Sequence, residues 1–193
     1  LLARPFSSEV VKLGFAGEGW PHINASGAIS VSVCGQRMVC TGYMGVLGVW
    51  DSGVRLWQTS GGDTIRSVAF MPDGERFVTG SDDGIAGRHR IQPSSPGSTI
   101  TSELGLVADE QDGNQLATMV ISVATLPDSK HFVVGLGNCD VVLLDAATGA
   151  SVHTFEGHDN SVNNVVVTRS GKHIVSGSDD GTIKVWSVAA RPS

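Results

Sequence analysis

The chain has 193 residues, 40% hydrophobic, 17% charged and 6% aromatic, a make-up that fits one folded domain and excludes a disordered or fibrous polymer. Thirteen Lys and Arg against nineteen Asp and Glu leave a net charge of -6 without any basic run, which argues against a nucleic-acid phosphate binder. No apolar stretch approaches the ~18 residues of a membrane span, and Cys34, Cys40 and Cys139 fit neither a disulfide framework nor a zinc cluster, so a cytoplasmic or nuclear setting is expected.

In chain order, the first strand-like segment is EVVKLGF, residues 9–15. Four copies of one pattern follow, taken as residues 22–59, 60–91, 119–156 and 157–188. The last copy, GHDNSVNNVVVTRSGKHIVSGSDDGTIKVWS, is the template. Moved back by 97 it falls without a gap on residues 60–90, with GSDDG on GSDDG. Shifts of 42 and 136 place the other two, and one column then reads Trp50, His89, Leu144, Trp186. Between the second and third copies, residues 92–118 open with Ser and Pro and turn acidic; they are expected as an inserted, solvated loop, with Ser95 before Pro96 as a possible phosphorylation site.

Within each copy, β-branched runs alternate with Gly, Asp and Ser turns: VNNVVV, then HIVSGS, then TIKVW. The Asp180, Gly181 pair is a hairpin signal, because such turns place residues at positive φ. No window keeps a 3.6-residue apolar period, so the prediction is three strands and a fourth per copy, and almost no helix.

Several patterns carry less. GEG at residues 17–19 and GLG at 135–137 lack the third glycine and following helix of a dinucleotide site. Six scattered histidines suggest a basic rim rather than a metal site, and the Asn24 sequon lacks a secretory context. No cofactor, metal or catalytic group is expected.

The GH of Gly157 and His158, the SGSDDGTIKVW run and the Trp50, Asp51 pair resemble the WD-repeat family of β-propellers. The resemblance covers most of the chain and is best in the last copy, although Ser187 stands where the family has Asp. It implies an all-β fold of propeller-type blades of antiparallel strands, four WD-repeat units forming a small or incomplete propeller. It also implies a buried structural tetrad on His158, Ser176, Asp180 and Trp186, for which a hydrolytic triad is the sharper but less favoured reading. Residues 9–15 take the place of the outer strand that closes the last blade.

The functional expectation from the resemblance is a non-enzymatic scaffold that holds a protein or peptide partner, as part of a multiprotein complex, on the rim of d-to-a loops and b-to-c turns. The rim columns give Tyr43, Thr64, Arg66, Asp82, Met119, Ile121, Ser161, Asn163 and Asp179 as candidate contacts. Charge is expected to separate by face, acidic there and basic at the a-to-b turns of Arg37, Arg76, Lys130, His131, Lys172 and His173. Neither nucleic acid nor membrane is expected as partner, and self-association could complete a ring. The rival readings are a fragment of a larger WD-repeat protein and a propeller enzyme.

Overall fold

A computed structural model describes residues 28–41, 45–51, 54–59, 63–92, 99–107 and 118–188. Among them there is no helix. Fifteen strands form four antiparallel sheets, each a meander in chain order. The first sheet holds β1 (Ile29–Val31), β2 (Arg37–Thr41), β3 (Leu47–Asp51) and β4 (Val54–Thr59). The second holds β5 (Ile65–Phe70), β6 (Arg76–Ser81), β7 (Ile85–Gln92) and β8 (Thr99–Val107). The third holds β9 (Val120–Thr125), β10 (His131–Leu136), β11 (Val141–Asp145) and β12 (Ser151–Phe155). The last has three described strands, β13 (Val162–Val167), β14 (His173–Ser178) and β15 (Ile183–Ser187).

Turn chemistry sets these boundaries. The hairpin between the first two strands of each sheet has one residue at positive φ in the same repeat column: Gly35, Gly74, Ser129 and Gly171. The next hairpin does so at Gly45, Gly84, Cys139 and Gly181. Left-handed backbone is comfortable for glycine, and Ser129 and Cys139 hold it with a Cβ, at φ 56 and 82.

The core lies between sheets rather than within one. Val39, Leu47 and Val49 of the first sheet pack on Val68, Phe70 and Phe77 of the second. Val78 and Ala86 of the second meet Val120, Val123 and Phe132 of the third, and Val133, Val141 and Leu143 of the third meet Val162, Val165 and Ile174 of the last. A fully buried side chain of this kind stabilises by about 1.5–3 kcal/mol, so the sheets are held by their neighbours. Polar links cross the same junctions. The Val123 N–H donates to Ser67 Oγ at 3.0 Å, and the Val165 N–H to Ser122 Oγ at 3.1 Å.

Two expectations are corrected. Residues 92–118 are not simply a loop, since β8 lies in them and pairs with β7 from Ile85↔Val107 to Gln92↔Thr99, giving the second sheet its fourth strand. Its sequence, TITSELGLV, sets apolar Ile100, Leu104 and Leu106 at alternate positions broken only by Ser102, a strand signal masked by the Ser-Pro run before it. Three groups of the expected basic rim are paired with carboxylates. Arg37 pairs with Asp51 at 3.0 Å, Arg76 with Asp73 at 2.6 Å, and His131 with Asp128 at 2.6 Å. Two of these arginines also reach the next sheet, Arg37 donating to the Gly74 carbonyl and Arg76 to that of Ser129. The expected outer strand 9–15, Ser95 and Tyr43 lie outside the described residues.

Candidate partner-binding rim

In the last sheet four side chains link the loop before β13, the turn after β14 and Trp186 of β15. An indole nitrogen only donates, so Trp186 Nε1–H gives its proton to Ser176 Oγ, 2.8 Å away. The Ser176 hydroxyl then donates to His158 Nε2 at 2.7 Å, and His158 Nδ1–H donates to Asp180 Oδ2 at 2.6 Å. Asp180 also accepts from the Asp159 N–H at 3.0 Å and from the Thr182 N–H and hydroxyl, each at 2.7 Å. Burial pushes the Asp180 carboxyl up, but the hydrogen bonds from Thr182, Asp159 and His158 overcome it and hold the group well below the usual carboxylate range.

Ser176, His158 and Asp180 thus have the connectivity of a hydrolytic triad. Ser176 is only 1% exposed, however, and its oxygen already accepts from the indole. A nucleophile needs substrate access, and this arrangement gives it none; what it does is tie the loop before β13 to the turn after β14.

Sequence reasoning left the second sheet without such a network. There Thr79 Oγ1 lies 2.9 Å from His89 Nε2, in the Trp column, and the His89 ring stacks on Phe77 at 4.8 Å. Burial lowers the His89 pKa to about 4, so the ring is neutral near pH 7. The available signal was the column itself, with Thr79 on Ser176 and His89 on Trp186.

On the rim the same column geometry repeats three times. The b-to-c turn is tied to the start of the inner strand by a backbone bond, from the Asp82 N–H to the Thr64 carbonyl, from Gly137 to Met119 and from Asp179 to Ser161, each at 3.0 Å. Two residues on, the side chains differ. Arg66 forms a two-pronged pair with Asp82, and Asn163 Nδ2 donates to Asp179 Oδ1. Between them the equivalent positions are Ile121 and Gly137, and Met119 lies over that glycine, 40% exposed. Ser161 Oγ donates to the Gly137 carbonyl at 3.0 Å, joining the last two sheets beside this spot. The eight described candidates are therefore brought onto one rim, as an uncharged apolar step between two polar pairs. No group of three or more His, Cys, Asp or Glu that could hold a metal ion occurs among the described residues.

The family model "WD domain, G-beta repeat" matches residues 59–86 and 149–187. The chain therefore carries WD repeats. Its second and fourth blades carry the matches, and the first and third share their strand order and turn columns. The chain is 28% identical over 188 residues to a guanine nucleotide-binding protein subunit beta of Zea mays, an alignment covering 90% of this chain and 47% of the relative. It is 25% identical over 159 residues to the nuclear distribution protein PAC1 of Coccidioides posadasii, covering 72% and 33%. A shorter match, 41% over 66 residues, joins it to the target of rapamycin complex subunit wat1 of Schizosaccharomyces pombe, covering 33% and 21%. The WD-repeat chain spans about half the length of the first of these relatives.

Proposed function

We propose that this WD-repeat chain is a non-enzymatic protein-interaction scaffold that takes a protein or peptide partner on the rim of Arg66, Met119 and Asn163. The observation that carries the reading is the exposed Met119 beside Ile121, set between the Arg66–Asp82 and Asn163–Asp179 pairs. A desolvated apolar anchor ringed by polar groups is the usual energetic layout of an interface. Asp82, Asp159 and Asp179 outnumber Arg66 there, so the partner segment carries an apolar residue flanked by Lys or Arg. Relatives named as a subunit beta and a complex subunit support assembly into a multiprotein complex. A cytoplasmic or nuclear setting goes with that reading, as does the absence of a role for cofactor, nucleic acid or membrane.

The test is selection of binders from a displayed random peptide library on the intact chain. Apolar peptides with basic flanks are expected, and Met119→Asp with Ile121→Asp should weaken them at least about tenfold. Lys172→Glu, on the opposite rim, should leave them unchanged. Binders indifferent to Met119 and Ile121 would overturn the reading.

A further inference from the structure

Each of the first three blades buries one flank against the next, and the same two columns do it every time. The column of Leu47, Ala86 and Val141 is fully buried, and so is that of Val39, Val78 and Val133. In the last blade these columns are Ile183 and Val175, and Val185 stands in the column of the buried Val49. Strand register puts Val175 opposite Val185 and Gly177 opposite Ile183, so all four side-chain positions share one face. Ile183 is 77% exposed and Val185 65%. Among the described residues, nothing packs on this blade-packing flank of the last blade.

Glycine marks the centre of that flank. A Cβ added at Gly80 would lie 2.5 Å from Val120 and 3.0 Å from Val123 of the next blade, and one at Gly135 would lie 2.8 Å from Val162 and 3.0 Å from Val165. Both glycines are therefore seats for a pair of valines from the neighbouring inner strand. At Gly177, the same column, nothing lies within 4 Å. Asn164 occupies the column of Ser67 and Ser122, whose hydroxyls accept an N–H from the next inner strand. It too is exposed.

The matching insert is at the other end of the described chain. Ile29 pairs with Cys40 as Val165 pairs with Ser176, which puts it in the column of Val68, Val123 and Val165. Those three are buried in a neighbour's seat, whereas Ile29 is 67% exposed. Seat and insert are the two unlike halves of one interface, a heterologous contact that a second copy can satisfy head to tail.

The geometry points to this: the exposed flank of β13, β14 and β15, centred on Gly177, receives β1 of a second copy of this chain through Ile29. Three internal junctions of the same molecule serve as its template. Two copies bring eight sheets together, within the range over which propellers close, and so leave neither flank exposed. The surface is separate from the Met119 rim and stands or falls without it.

Sedimentation equilibrium of the intact chain should give about 40 kDa, twice the 20.1 kDa protomer. Gly177→Leu fills a seat that is empty within the protomer, so the variant should stay folded, sediment as a monomer and melt as the parent does once the parent is diluted below its pairing concentration. Ile29→Arg should also abolish pairing, and mixing the two variants should restore a pair through the one junction left intact. A chain carrying Ile29→Cys and Gly177→Cys reports the occupant, because in the template a Cβ at the glycine lies 3.0 Å from the side chain of the valine in the Ile29 column. A 29–177 bond between two chains is the expected product. The same bond inside one chain, a monomeric parent with no bond, or a Gly177→Leu variant that still pairs would each overturn the proposal.

Discussion

Trp186 and Ser176 meet through a single hydrogen bond, Nε1–H to Oγ at 2.8 Å, and that bond sets the direction of every proton in the network behind it. Because the indole cannot accept, the serine oxygen must, and its own hydrogen is left for His158 Nε2. The imidazole is thereby held as the Nδ1–H tautomer that faces Asp180.

Ser176→Ala strands an indole N–H and a ring nitrogen in a buried place and should cost about 1–3 kcal/mol in urea unfolding. Trp186→Ala should cost about 3 kcal/mol, since the ring also packs on Phe155 at 5.7 Å. Trp186→Phe keeps most of that packing and should fall between the parent and Trp186→Ala. A Ser176→Ala protein as stable as the parent would show that the network does not hold the blade.

Acid should weaken the fold in two steps. His89 binds its proton only near pH 4 when folded but near 6.5 when unfolded, so the unfolded chain holds more protons between these values. Stability therefore drops as pH falls from 6.5 to 4, by about 3 kcal/mol in all. Asp180, depressed when folded, adds stability that is complete above the ordinary carboxylate range and is lost below it. His89→Phe keeps a ring on Phe77 and should flatten the first step alone, in melting temperatures measured from pH 7 to 4. An unchanged slope in that variant would assign the step to another group.

Two turns of the third blade carry side chains where the other blades have glycine, Ser129 at φ 56 and Cys139 at φ 82. Left-handed backbone costs a non-glycine residue roughly 1–2 kcal/mol, offset in part by glycine's larger entropy loss. Cys139→Gly and Ser129→Gly should each raise stability by about 0.5–1 kcal/mol, additively, because the turns are at opposite ends of β10. Calorimetry on the single and double variants checks this, and a drop in melting temperature for both would refute it.

Rim charge should act on rate more than on stability. The Arg66–Asp82 pair is largely solvated, and its coupling in a double-mutant cycle should stay below about 1 kcal/mol. Reversing Asp82 and Asp179 to Lys should nonetheless slow association with a basic peptide at low salt, and the difference should fade as salt is raised. Equal association rates for parent and variant at low salt would remove the acidic rim from the mechanism.

How much the sequence determined can be seen at particular residues. Period-two alternation and glycine or aspartate turns are local signals, so β13, β14 and β15 and the turn at Gly181 follow from residues a few positions apart. The repeat columns go further, since they make Thr64, Met119 and Ser161 equivalent positions, while the linking of His158, Ser176, Asp180 and Trp186 and the rim itself were implied by the family resemblance. What they left out depends on neighbours distant in the chain. That β8 is a strand is decided by its pairing with β7, across a Ser-Pro run that locally reads as a break. Asp51 pairs with Arg37, fourteen residues before it, only because β3 folds back beside β2. Val141 and Ile183 occupy the same column with the same apolar character, yet one is sealed and the other open, because burial belongs to the contact between two sheets and not to the residue.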